Sequence, residues 1–478
     1  MILLLAFRHL VVRPGRAAVL LAGYGVGVGV MIVLLAVGEA MLAQSRDVAL
    51  VGGGEVTILP EGIDIEALRT GALGSYFHGV DRARFVQRQL LEGPRRRESV
   101  RMAAPAIEHK LVYLEAGGRV VTVRAGGEIP SRARAAGAGL EVVAGQWEDT
   151  AADSAWIAPS AEVLYHELDR LHLPASRDST WAEWQYFNLV TGPEEWWYIT
   201  YLIGGDLPGG RWGGQLLVTH RRPDGGHDRY VAEVPSSAVQ FDTTRADLVL
   251  GASSVRQRGG RWHLSGSARG PAGRPLRFSL EVDPAAHRWF PPVELRDGSF
   301  QSGYVVPAVR AEASGEICLA GHCRRVRAAP AYHDHNWGTW GGVNWEWGMG
   351  RGTDFDLLYG GVLAPDSLAR GGSPFFLALV DSLGVRQVLR FAAVEFTGTT
   401  EAPRALRLVA TQGSDTVAVT VQVTAAQANQ VDGGTFRRAF LQMRGRFTLE
   451  ARLQGRQLRD QGMGFFETWR EGAGGSLR

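Results

Sequence analysis

Ala17 to Val37 reads AAVLLAGYGVGVGVMIVLLAV, an apolar run without a charged residue. At about 1.5 Å per residue, a helix of this length crosses a hydrocarbon core of about 30 Å, so one transmembrane helix is expected. Residues 50–175 then alternate short apolar runs (VTIL, KLVYL, RVVTVRA) with Arg/Gly/Ala stretches, the texture of a small α+β domain. Val163, Leu164, Leu168 and Leu171 recur at helical spacing over 161–171, and Pro174 and a polar SRDST linker close that helix. From Trp181 the pattern changes. WWYITYLIG, GQLLVTH, LRFSLEV, FDLLYGGVL, TVAVTVQV and GRFTLEARL are short, β-branched or aromatic, and separated by Gly, Pro or Asp. Such spacing predicts an all-β region of barrels or sandwiches. It is long for one barrel, so a division near residue 310 is expected. The organisation read from the pattern is a cytoplasmic start and anchor (1–45, helix 17–37), an α+β domain (46–176) and two β-lobes (177–310 and 311–478).

Arg8, Arg13 and Arg16 precede the apolar run, whereas Glu39, Arg46 and Asp47 follow it. The positive-inside rule therefore leaves the N-terminus in the cytoplasm and the remainder outside, as in a single-pass protein of a bacterial inner membrane. A cleaved signal peptide is the rival reading, with Gly38-Glu39-Ala40 as a poor cleavage site. The apolar run is about twice as long as the usual 7–15 residues of such a peptide. Gly23/Gly27 and Gly25/Gly29 are spaced for close approach by a second membrane helix, although glycine is common in membrane helices generally. No later segment matches this run, so one crossing is expected.

Composition narrows the classes. A formal charge of +2 over 478 residues argues against a nucleic-acid surface, and an apolar fraction of 45% argues against long disorder. Lys110 is the only lysine, the arginines being scattered, which reads as codon bias. The 62 glycines and 14 tryptophans suit short strands around an apolar interior.

Chemistry concentrates in Ala331 to Gly350, AYHDHNWGTWGGVNWEWGMG. In an extended strand side chains alternate, so His333, His335 and Trp337 share one face and Tyr332, Asp334 and Asn336 the other. Trp345 and Trp347 likewise oppose Glu346. One reading is that the tryptophans fill a core while the polar groups satisfy buried backbone. The other is a ligand or catalytic site, because several buried polar groups are costly unless paired. A carboxyl in an apolar pocket stays protonated near neutral pH and can act as a proton donor. Asp334 is the first candidate for that acid, with Asp356 and Glu346 behind it. Trp337 and Trp340 could stabilise a cation, His335 could position or deprotonate water, and Tyr359 is a further polar candidate. Cys318 and Cys323 bracket a presumed hairpin tip. Outside the cytoplasm they are expected to form a disulfide, with zinc held by His322 and His333 or His335 as the alternative. No cofactor or resident metal is expected.

Two resemblances extend this reading. YHDHNWG at 332–338, Glu183-Trp184-Gln185-Tyr186-Phe187 and GMGFFETW at 462–469 resemble phrases of the lipocalin-like superfamily that includes carotenoid 1,2-hydratase and the AttH-like proteins. Gln185 departs from the family's EWWYF, although Glu195-Trp196-Trp197-Tyr198 follows soon after. The resemblance implies two lipocalin-like β-domains with ligand space between or within them, and functional roles for His335 and Trp337. It adds Trp184, Tyr186, Trp197, His333, Asn336, Trp340, Trp345, Trp347 and Glu467 as ligand-binding candidates. The first third, through the anchor and EVVAGQWEDTAADSAWIAPSAEVLYHELDRLHL, resembles ABC-transporter permeases of the macrolide-exporter and lipoprotein-release type. That likeness implies separate permease and ATPase partners docking on the Gly23–Gly29 helix face, since no Walker A phrase occurs. Two functions are thus expected as alternatives: binding of an apolar lipid or isoprenoid-like ligand for an export system, or hydration, cyclisation or isomerisation of such a molecule. A purely structural surface protein is the third.

Overall fold

The computed structural model describes residues 12, 14–48, 58, 80–117, 119–135, 148–151, 169–174, 176–297, 300–363, 375–399, 403–432 and 437–471. One unit of the chain comprises residues 1–78 and 102–154. It contains the helix Pro14–Val48 and an antiparallel hairpin of Ala106–Ala116 with Arg119–Glu128. Pro14–Val37, with a mean hydropathy of 2.4 and no buried surface, is long and apolar enough to cross a membrane. The expected anchor 17–37 lies within it. Most of the expected 161–171 helix and of the permease-like stretch lies outside the described residues.

The second unit holds the β-structure. Its first lobe is built from β1 (Trp181–Gly192), β2 (Glu195–Asp206), β3 (Arg211–Arg221), β4 (His227–Pro235), β5 (Arg261–Arg269), β6 (Pro275–Pro284), β7 (Phe300–Leu319) and β8 (His322–Thr339). Each strand pairs antiparallel with the next and β8 pairs with β1, which closes an eight-stranded meander into a barrel. Short strands at 239–258 extend from β5, and Phe290–Asp297 pairs with β7. The second lobe repeats the plan with β9 (Asn344–Gly352), β10 (Asp356–Leu363), β11 (Phe375–Asp381), β12 (Gly384–Phe391), β13 (Pro403–Gln412), β14 (Asp415–Asp432), β15 (Arg437–Leu453) and β16 (Arg456–Glu471). Here the β16–β9 pairing closes the ring. The mainly β, two-lobed class expected from the pattern is what the chain forms.

Period-two sequence explains the individual strands. Along β5, Trp262, Leu264 and Ala268 enter the first core while Arg261 and His263 stay outside. A large and a small residue are paired across several strands. Trp337 lies over Gly303, where a Cβ would stand 2.2 Å from its ring, and Trp347 covers Gly360 in the same way. The glycines are therefore required by close packing rather than by turns.

The change of sheet falls between Thr339 and Asn344, and the boundary expected near residue 310 lies inside β7. The cause is non-local. β7 and β8 form one long hairpin, which the disulfide Cys318–Cys323 spans near its turn, and β8 is needed to close the first barrel onto β1. Closure also brings the three recognised phrases to the seams: HDHNW against EWQYF, and NWEWG against GFFETW. Both faces of β8 are buried there. One faces the interior of the first barrel, and the other meets the second lobe through a layer that includes Tyr186, Tyr198, Tyr332, Trp347, Met349 and Phe465.

Candidate functional site

The seam of β8 carries two polar clusters, one on each face, as strand alternation requires. On the inner face His333, His335 and Trp337 meet Asp169, Glu183 and His172. His335 Nδ1 lies 2.9 Å from Asp169 Oδ1 and its Nε2 2.7 Å from Glu183 Oε1. His172 Nδ1 is 3.1 Å from the same Glu183 oxygen, and its backbone N–H donates to both oxygens at 2.9 Å. Trp262 Nε1 donates to Asp169 Oδ2 at 2.7 Å. His333 donates Nδ1–H to the Tyr186 carbonyl at 3.0 Å, with its Nε2 3.2 Å from Asp169 Oδ2. Trp337 stacks on His172 at 3.7 Å.

Burial opposes charge on His335, yet hydrogen bonds to Asp169 and Glu183, and their charges, outweigh it and push the imidazole up to about 9. Burial likewise works against the two carboxylates, but their histidine partners hold both below the ordinary carboxylate range. His172 is shifted down, burial outweighing its bond to Glu183. At neutral pH this face holds a buried imidazolium between two carboxylates. His172, Glu183 and His335 present ligand atoms within 4.8 Å of one another and are the residues of this face that could hold a metal ion. In the present arrangement those atoms bond to each other. Both ring nitrogens of His335 are committed to carboxylates, so it offers a substrate neither a free proton nor a free lone pair.

The outer face is different. Asp334 is buried, accepts from Asn336 Nδ2 at 2.6 Å, and is also hydrogen-bonded by Tyr332. Across the layer, Glu467 of β16 accepts from the Tyr186 hydroxyl at 2.7 Å and from Gln442 Nε2 at 3.0 Å. Trp347 Nε1 donates to the Tyr332 hydroxyl at 2.9 Å. Burial, reinforced by the Glu467 charge, lifts the Asp334 carboxyl well above its usual range. Burial also raises Glu467, its two hydrogen bonds opposing only in part. Tyr186 and Tyr332 are shifted up, burial again leading. Two carboxyls that resist ionisation thus sit among aromatic rings in the inter-lobe layer. Trp184, Trp340 and Trp345 cluster nearby, with ring centroids 4.6 to 6.2 Å apart, and Trp345 stacks on Trp469.

Other expected positions lie elsewhere. Asp356 is buried against Arg288 and Arg310 at 2.8 and 2.6 Å, so its carboxylate is held by two guanidinium groups. Tyr359 packs in the second barrel's core between Phe391 and Phe466. Trp197 lies in the first core, stacked on His220 at 3.7 Å. Strand parity turns Tyr359 and Trp197 into the barrel cores, whereas Asp356 shares the face of β10 that carries Leu358 into the inter-lobe layer and is held there by its two arginines. Glu346 accepts from Thr468 at 3.1 Å on the opposite face of β9 from Trp347. The cysteines form a disulfide, so they are not thiolate ligands for zinc. Sequence reasoning missed Asp169, Glu183 and His172 as partners of the His-x-His pair. The EWQYF phrase contained a signal for one of them, since Glu183 pairs in register with Trp337.

No family model matches the chain, and no curated protein matches it. Among solved structures it is similar to an AttH protein from Nitrosomonas europaea, with 15% identity over 63% of this chain and 96% of that one, TM-score 0.41. CghA with Sch210972 shares 12% identity over 60% of this chain and 88% of that one, TM-score 0.41. Kievitone hydratase from Nectria haematococca shares 11% over 63% and 93%, TM-score 0.42.

Proposed function

We propose that this chain is a membrane-anchored acid catalyst that holds an apolar, lipid- or isoprenoid-like ligand between its lobes and protonates a carbon–carbon double bond in it. The observation that carries this reading is the Asp334 carboxyl itself, buried in the aromatic layer between the lobes and bonded to Asn336, where burial raises it well above its usual range. In hydration, the Asp334 proton passes to one alkene carbon and leaves a carbocation on the other. The faces of Tyr186, Tyr332 and Trp347 stabilise that cation by about 1–2 kcal/mol where water is scarce. A water oxygen then bonds to the cation, and the Asp334 carboxylate takes back a proton. Loss of a different proton, or attack by a second double bond, gives isomerisation or cyclisation from the same acid. The His335 network, with both imidazole nitrogens committed to carboxylates, holds the seam that positions Asp334.

In this reading the helix Pro14–Val37 holds the barrels at the surface of a membrane where apolar ligands reside, with the lobes outside the cytoplasm. Its glycine face is the place for a partner helix, such as that of a permease. A binding protein for an export system would need the apolar layer but not a proton-bearing carboxyl. Mass spectrometry of lipids extracted from the full-length protein separates the two. A co-purified unsaturated apolar compound that gains one water, or changes its bonds, on incubation supports catalysis. A compound that is held unchanged supports binding only, and an empty protein removes both.

A further inference from the structure

Alongside the acid layer lies a cavity of about 150 Å³, bounded by residues of both lobes. Its apolar wall includes Met349, Met463 and Phe465, and no carboxylate among the described residues lines it. Three polar side chains do. Arg351 has already committed its Nη2 to the carbonyls of Ala311, at 2.8 Å, and Ala331. Arg444 has not. Its guanidinium lies 4.6 Å over the Trp196 ring and 5.4 Å over Phe465, the residue is only 9% exposed, and its buried Nη1 finds no hydrogen-bond partner among the described residues. Burial works against its charge, opposed only by Tyr198 and the solvent-exposed Glu194. Asn188, 2% exposed on β1, likewise has a buried Nδ2 without a partner.

A buried cation or amide donor left unbonded is expensive, and two such donors on one small cavity is an arrangement that an incoming acceptor would relieve. One guanidinium nitrogen and one amide nitrogen match the two oxygens of a planar carboxylate. A phosphate dianion would need more donors than these to offset its desolvation. We propose that this cavity receives the carboxylate of the ligand, so that the substrate is an apolar carboxylic acid rather than a hydrocarbon or an alcohol. This rests on the inter-lobe reading above and adds the head group to it. Asn188 is two residues from Tyr186 on β1, and Phe465 is two residues from Glu467 on β16. Two residues along a strand cover roughly 6.6 Å, so a head group fixed here sets the reacting double bond a few carbons away.

The test uses the full-length protein in nanodiscs and three probes of the same chain length: oleate, methyl oleate and oleyl alcohol. Tryptophan quenching gives the affinities. Oleate should bind about tenfold to a hundredfold more tightly than the ester and the alcohol. Arg444→Met should reduce oleate to the ester's affinity and leave the ester unchanged. Asn188→Asp, which places a negative charge in the cavity, should weaken oleate while sparing the ester, and it serves as the second variant if Arg444→Met does not fold. Equal binding of oleate and methyl oleate, or equal weakening of both by these substitutions, overturns the carboxylate assignment and leaves the apolar-ligand reading standing. Failure of all three probes to bind overturns both.

Discussion

The imidazolium of His335 should make stability depend on pH in a calculable way. In the unfolded chain this histidine returns to its ordinary value of 6.5, whereas in the fold it is held at about 9. A raised folded-state value stabilises the fold fully below the unfolded value, and the contribution is lost as pH rises through the folded one. Each unit corresponds to about 1.4 kcal/mol, so the loss is on the order of 3 kcal/mol. That is a large share of a typical net stability of about 5–15 kcal/mol. Asp169 and Glu183 act on the other limb: depressed by their histidines, they stabilise above their unfolded values of 3.8 and 4.5, and that contribution is lost as pH falls. Maximum stability therefore belongs between the two limbs, near pH 5 to 6.5 by about a unit. Chemical denaturation of the full chain, followed by tryptophan fluorescence, measures this. It is best done in an Asp334→Asn background, because ionisation of Asp334 also destabilises as pH rises and would add to the slope. A stability that stays level from about pH 6.5 to about pH 10 in that background would refute a buried imidazolium between two carboxylates.

Further expectations follow from the same contacts. Asp169→Asn should cost about 3–5 kcal/mol, because it leaves a buried ionic network without one of its members, and a denaturation midpoint checks it. His335→Gln should lose a comparable amount near pH 6 and flatten the alkaline limb, which a matched titration of stability would show. Gly303→Ala should destabilise by about 1–3 kcal/mol, since the added methyl meets the Trp337 ring and the backbone cannot move far in a closed barrel. A thermal midpoint unchanged from the parent would contradict that packing. Asp334→Asn should abolish turnover of the bound ligand while retaining it, and should improve stability at alkaline pH, where the parent must ionise a buried acid.

Much of the architecture was legible because it is local. Alternation such as that of β5, and the turns between short strands, can be read residue by residue. Parity along HDHNW also foretold that Asp334 and His335 face different spaces. What could not be read was closure. The β8–β1 and β16–β9 pairings join positions far apart in sequence, so nothing near residue 310 announces that β7 and β8 belong to the first barrel. For the same reason Glu467 could be named from a phrase, but not placed opposite Asp334. Asp356 illustrates the opposite error. It lies close to HDHNW in sequence, but its strand turns it toward Arg288 and Arg310. Asp169 precedes the first barrel strand in an unremarkable LDRLHL context, and only the enclosed His-x-His pair gives it meaning.

The central claim is that Asp334 gives its proton to carbon. The direct measurement is to incubate the full-length protein with its co-purified ligand in deuterated water and follow deuterium on the ligand's carbon skeleton by mass spectrometry. Hydration, cyclisation and isomerisation begin with the same protonation, so each should leave deuterium on carbon with the parent protein and none with Asp334→Asn. A ligand that stays bound and gains no deuterium, or one that gains it equally with Asp334→Asn, would contradict the account.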